Sequence, residues 1–199
     1  MDFRDLPAAR VDEAARELLG WHITADGVTV RLTEVEAYRG ADDAASHAYR
    51  GRTPRNAVMF GPAGFLYVYF TYGMHWCLNV TAGADGEAAA VLLRAGEVVA
   101  GLDAARARRP RVPVDRDLAR GPARLAATLG LDGAANGLDL FHSWVRLEAR
   151  SGPPGRIEAG PRVGVSREKE RPWRFWLAGE PTVSPYRPHV PKRRGSPAE

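Results

Sequence analysis

One stretch constrains this chain more than any other. A strand over Val28–Tyr38 would place Val28, Val30, Leu32, Glu34, Glu36 and Tyr38 on a single face, because side chains alternate across a strand. Three apolar residues and two carboxylates do not share one dry core. A β-bulge could reverse the face partway, or the carboxylates could emerge into a cleft at the strand end. The plain alternative is an exposed strand end. In any of these, one segment joins a core to a polar environment.

The flanking sequence supplies a mixed architecture. Ala8, Val11, Ala14, Ala15, Leu18 and Leu19 recur at helical spacing, which predicts a helix over 7–20 with Pro7 in its first turn and Gly20 at its stop. Gly27 between two β-rich runs predicts a hairpin over 21–38. Residues 39–62 read as a long loop rich in Gly, Pro, Asp and Arg, and a loop of that length in a compact domain is usually functional. Strands are expected over 64–72 and 76–81 around Tyr72-Gly73-Met74, then over 88–95. Helical character returns near 97–109 and at 121–130, where Gly121-Pro122 opens a helix. Late strands are expected at Arg162–Ser166 and Trp173–Leu177. From Pro181 the chain is Pro-rich and ends in a basic run, Lys192-Arg193-Arg194, which reads as a frayed tail over about 181–199. No linker divides the chain. The expected fold is one α+β domain over 1–199, with a curved antiparallel β-sheet and peripheral helices.

Composition narrows the function. The 199 residues carry a formal charge of +4, and the cations are almost all arginine, which suits bidentate contact with phosphate. Arg106, Arg108, Arg109 and Arg111 form the densest basic run; they are candidates for phosphate contact or simply a solvated helix face. Cys77 is the single cysteine, so an internal disulfide or a cysteine zinc cluster is excluded. The five histidines show no paired metal spacing, and no phosphate loop, dinucleotide fingerprint or nucleophile elbow occurs. No metal or cofactor is expected. The opening residues lack the apolar run of a secretory leader, and no segment is apolar enough to span a membrane. A cytoplasmic, prokaryote-like and nucleoid-associated protein is the expectation. The first 168 residues contain no lysine, which disfavours a Schiff-base lyase.

What remains is a carboxylate pair beside aromatics and arginines. Tyr38, Tyr67, Tyr69 and Tyr72 are four of the six tyrosines. They suit stacking on a nucleobase, or they cover a sheet face with their hydroxyls at its rim. Three stretches resemble the alkyladenine (3-methyladenine) DNA glycosylase family. The first is Glu34-Val35-Glu36-Ala37-Tyr38 with His47. The second is Arg52-Thr53-Pro54-Arg55-Asn56 followed by Met59-Phe60. The third runs from Leu66-Tyr67-Val68-Tyr69-Phe70-Thr71-Tyr72-Gly73-Met74 to Cys77-Leu78-Asn79. Val91-Leu92-Leu93-Arg94-Ala95, Gly121-Pro122 and Arg162-Val163-Gly164-Val165 fit in order, so the likeness covers nearly the whole chain.

The resemblance implies a monofunctional glycosylase of base excision repair. Its partner would be double-stranded DNA containing damaged purines: 3-methyladenine, with hypoxanthine and ethenoadenine as further substrates. It implies that Glu36 is the general base that activates a water and that Arg94 helps hold that water. Tyr38, His47 and Tyr69 match the walls of the pocket for the flipped base, and Asn79 its floor, discouraging guanine. Tyr72 matches the wedge that fills the gap in the duplex, assisted by Leu92. A monomer suffices for this chemistry. Glu34 competes with Glu36 for the role of base. A non-catalytic binder of damaged DNA is the alternative function, and it would not need Glu36.

Overall fold

The fold is taken from a computed structural model, which describes residues 2–190. The chain runs α1 (Val11–Leu18), β1 (His22–Ala25), β2 (Val28–Arg39), β3 (Leu66–Thr71), β4 (His75–Thr81), β5 (Ala89–Ala100), α2 (Leu102–Arg108), α3 (Pro122–Leu129), β6 (Arg146–Glu148), β7 (Ile157–Gly160) and β8 (Arg174–Leu177). The eight strands form one antiparallel sheet in the order β3-β4-β5-β2-β1-β6, with β8 also on β2 and β7 on β8. The sheet curls into a half-barrel, and the protein is a single mixed α+β domain.

β2 organises the sheet. Asp26-Gly27 joins it to β1 with φ of 44° and 77°, the positive-φ pair that matches the twist of a two-residue hairpin. β5 runs along one edge of β2. The other edge is shared, with β1 on residues 28–31 and β8 on Glu34–Glu36. At the changeover both β2 and β5 are irregular. Leu32 pairs with Gly96, Glu34 with Ala95 and Val35 with Leu93, so Thr33 and Arg94 each fall out of the ladder. The two irregularities cancel in register but reverse the faces. Val28, Val30 and Leu32 point into the main core, and beyond the changeover Val35 and Ala37 do so instead. Gly96 permits the close approach: a Cβ there would lie 2.3 Å from Val30 Cγ1 and 2.5 Å from the Arg31 carbonyl oxygen. The bulge anticipated as one solution to the alternation conflict is present, and it turns Glu34, Glu36 and Tyr38 away from the core.

The two faces then differ. Leu66, Val68, Leu78, Val80, Val91, Leu93, Val35 and Ala37 form a core with Val11, Ala15 and Leu18 of α1 and Leu125 and Leu129 of α3. Burying each Val or Leu side chain among them contributes roughly 1.5–3 kcal/mol. On the opposite face the 40–61 loop folds over the sheet, and Ala48 and Met59 pack on Tyr67 and Ala90.

Several expected boundaries move. The 7–20 helix shortens to α1, preceded by a 3-10 turn at Ala8–Arg10. Helix character expected from 97 begins only at Leu102, because β5 continues its pairing to Ala100 and Gly101, at φ 74°, breaks the run. Arg162–Ser166 is not a strand; β8 pairs instead with β7, and the 161–166 segment turns toward the opposite face. β6 has only three residues, too few for alternation to mark it. The segment expected to fray from Pro181 is anchored at its start: Thr182 and Ser184 are buried, and the Thr182 hydroxyl meets that of Thr33 at 2.8 Å. The basic run Lys192-Arg193-Arg194 lies outside the described residues. Among the described residues no helix is long and apolar enough to cross a membrane.

Candidate active site

Strand register assembles the site. Tyr67 pairs with Asn79, Asn79 with Leu92, and Leu92 with Glu36. These four residues are therefore one row across β3, β4, β5 and β2, all on the face away from the main core. Flanking positions on the same face bring Tyr69 beside Cys77, and Tyr38 beside Ala90. The row lines a cavity of about 460 Å³, closed on other sides by the 44–47 loop, residues 163–166 and the start of α3. That volume suits a small planar ligand.

Glu36 is held on every side. Its Oε1 accepts the Val163 N–H at 2.7 Å and lies 3.5 Å from an Arg94 guanidinium nitrogen. Its Oε2 accepts the Tyr38 hydroxyl at 2.8 Å. Glu34 sits behind it, fully buried. Arg94 Nε and Arg174 Nε donate to Glu34 Oε1 at 3.0 and 2.5 Å. The Ser184 N–H donates to Oε2 at 2.7 Å and its hydroxyl meets Oε1 at 3.0 Å. Burial alone would lower the Arg94 pKa, but the charges of Glu36 and Glu34 outweigh it and hold the guanidinium above its usual value. Arg94 thus bridges a carboxylate at the pocket and one enclosed in the protein.

The walls are neutral and aromatic. Burial raises the Tyr38 hydroxyl well above its ordinary pKa, and the Glu36 charge adds to this. Tyr69 is raised well above its ordinary value by burial and then by Cys77, and Tyr67 by burial to about 12. Cys77 is raised mainly by burial, so its thiol stays protonated. His47 is lowered by burial and then by Arg55, which favours a neutral imidazole. Its Nδ1 meets the Tyr67 hydroxyl at 2.9 Å, and its ring stands edge-on to Tyr69 with centroids 4.5 Å apart. Behind Tyr38, the buried Arg162 guanidinium lies 4.6 Å from the ring centroid. It is clamped to Asp43 by two bonds of 2.6 and 2.8 Å. That clamp fixes the loop leading to His47 and the segment carrying Val163 at once. Among the described residues no three His, Cys, Asp or Glu side chains converge as metal ligands.

Comparison with known proteins matches the chain to a family. The profile of the methylpurine-DNA glycosylase family matches residues 5–181. A Nocardia farcinica protein is 57% identical, with 87% of this chain and 86% of the relative covered. A Streptomyces avermitilis protein is 50% identical over 96% and 94%, and a Burkholderia lata protein 51% identical over 80% and 79%. All three are provisionally named 3-methyladenine DNA glycosylases. The chain belongs to the methylpurine-DNA glycosylase family. It is a hydrolase of N-glycosyl bonds, a DNA glycosylase of base excision repair.

In this glycosylase Glu36, Arg94, Tyr38, His47, Tyr69 and Asn79 all line this cavity. Asn79 donates to the Tyr67 carbonyl at 3.1 Å from the floor. Tyr72 stands at the rim, 81% exposed at the tip of the β3–β4 hairpin. Leu92 lines the same cavity, 4% exposed in the floor row between Asn79 and Glu36. Three of the four arginines of the basic run at and after α2 are engaged internally, and exposed Arg111 is not. Arg106 pairs with Asp115, Arg108 with Asp26, and Arg109 donates to the Leu118 and Arg124 carbonyls. Reading the sequence alone overlooked Val163, Cys77, Ser184 and the Asp43–Arg162 clamp. Arg162-Val163-Gly164-Val165 stood out as a motif without a role; nothing local marked Ser184.

Proposed function

We propose that the enzyme extrudes an alkylated or deaminated purine from duplex DNA into this cavity and hydrolyses its N-glycosidic bond, leaving an abasic site. Glu36 activates the attacking water and Arg94 helps to hold it. 3-Methyladenine is the leading substrate, with hypoxanthine and ethenoadenine as further ones. The observation that carries this reading is the fixed Glu36 carboxylate in the row Tyr67–Asn79–Leu92–Glu36, at the wall of an aromatic cavity large enough to admit a purine. A binder of damaged DNA has no use for a carboxylate held by three separate partners.

The chemistry fits the surroundings. A base inside a stacked duplex cannot be reached without extrusion, which costs a few kcal/mol and least at a damaged pair. Bond cleavage develops positive charge on the sugar, and a preorganised carboxylate stabilises such charge. An alkylated purine is already cationic and departs without an acid. Neutral tyrosines and an uncharged His47 suit that cation, and an aromatic wall contributes about 0.5–2 kcal/mol by cation–π attraction. Tyr72 fills the vacated space in the duplex, and Leu92 shapes the floor. One chain supplies a base, a pocket wall and a wedge, so a monomer suffices for this chemistry.

A panel of duplexes, each carrying one lesion, tests the substrate class under single turnover. Release of free 3-methyladenine faster than of hypoxanthine, with no release of thymine or cytosine, is the expected order. Release of a pyrimidine lesion but no purine would overturn the reading.

A further inference from the structure

We propose that Arg50, Arg52 and Arg55 form a prebuilt platform for DNA phosphates beside the base pocket. This rests on the proposed action on duplex DNA and names the surface that binds its backbone.

The first observation is how the arginines are used. Three arginines of the densest basic run are engaged, Arg106 by Asp115, Arg108 by Asp26 and Arg109 by backbone carbonyls, whereas exposed Arg111 has no such partner among the described residues. Arg50 and Arg52 are exposed, and no ion pair or hydrogen bond engages their side chains among the described residues. Exposed Arg55 makes one 3.3 Å bond, to the Phe70 carbonyl. A guanidinium with a carboxylate partner has its charge locally cancelled; these three do not.

The second observation is independent. From Ala44 to Ala84 the chain carries no Asp or Glu, although acids make up 24 of 199 residues. That interval contains the pocket loop and the whole β3–β4 hairpin. No carboxylate on it opposes an approaching polyanion.

The third is rigidity. Buried Asn56 closes the loop, donating to the His47 carbonyl at 2.9 Å and the Gly51 carbonyl at 3.0 Å while accepting the Thr53 N–H at 2.6 Å. The loop that places His47 in the pocket wall therefore also fixes the backbone that carries the three arginines. Arg55 lies 5.7 Å from the Tyr69 ring centroid and is tied to the hairpin that carries Tyr72. Arg55 thus lies beside the pocket wall and at the hairpin that carries the wedge, and Arg50 and Arg52 belong to the same loop. Little loop ordering is left to be done on binding.

The test measures binding of the full-length protein to a short duplex carrying a tetrahydrofuran abasic analogue, which cannot be cleaved, over a series of salt concentrations. Each phosphate contact contributes about 0.9 to the slope of log affinity against log salt. The Arg50→Ala/Arg52→Ala/Arg55→Ala variant is expected to flatten the slope by about 2–3. The loss should be equal on an undamaged duplex, because phosphates carry no sequence or lesion information. Lysine at the three positions should restore most of the slope. Arg106→Ala should leave it unchanged. An unchanged slope in the triple alanine variant, the same flattening in Arg106→Ala, or no recovery with lysine would overturn the platform. Release of free base by the wild-type protein reports the catalytic reading separately, and its failure leaves the binding result standing.

Discussion

At the scale of single residues, Glu34 and Glu36 are the same side chain two positions apart with different duties. Glu34 is saturated by two arginines and both donors of Ser184. Glu34→Gln would leave Arg94 and Arg174 buried with too little opposing charge, and breaking a buried pair costs about 3–5 kcal/mol. Its effect should appear as a drop in melting temperature; an unaltered transition would show that the network is not structural. Glu36→Gln keeps an acceptor for the Val163 N–H, and its amide N–H can donate to the Tyr38 hydroxyl oxygen in place of the bond it accepted, so it should fold and fail chemically. Asn79→Ala removes the floor side chain and its bond to the Tyr67 carbonyl, at about 0.5–1.5 kcal/mol of stability. Release of guanine from undamaged duplex should rise, and an unchanged rate would deny Asn79 the part of gatekeeper. The residues of the pocket were legible because they sit in long motifs. Glu34's duty was not, since Arg174 and Ser184 lie 140 and 150 residues away.

Among the elements, the β3–β4 hairpin shows a local cost. Tyr72 has φ of 52°, followed by Gly73 at 68°, and the turn is closed by the Met74 N–H on the Thr71 carbonyl. A non-glycine residue there costs roughly 1–3 kcal/mol, yet its ring is exposed and packs on nothing that would offset this. Tyr72→Gly should stabilise the protein by about 1 kcal/mol while weakening binding to a lesion duplex more than to an undamaged one. Equal weakening on both would argue against a wedge. The strand reversal in β2 was half legible. The alternation Val28–Tyr38 announced a conflict, but the matching irregularity at Arg94 belongs to a strand about 60 residues on. Register between distant strands is a tertiary property, so periodicity could state the problem and not its solution. The same limit explains why β5 outran its expected end.

Across the whole molecule, fold class followed from the order of helical and strand periods, whereas charge placement did not. Arginine density pointed to α2, and only the partners of each guanidinium show where charge is unspent. The C-terminal segment is the other global feature. Thr182 and Ser184 seal the back of the site against Thr33 and Glu34, and Arg120 holds the Val183 carbonyl at 2.9 Å. Ending the chain at Glu180 removes these groups together, so the truncated protein should lose cooperative unfolding or most of its stability; an unperturbed melt would make the segment dispensable. Sheet, strap and loop converge on one carboxylate at the wall of one cavity. The most direct test is single-turnover release of 3-methyladenine from methylated duplex, comparing wild type with Glu36→Gln at matched melting temperature and saturating protein. The expected result is release by wild type and a fall of about 10²–10⁴-fold in the variant. A variant that releases the base at the wild-type rate would contradict the account.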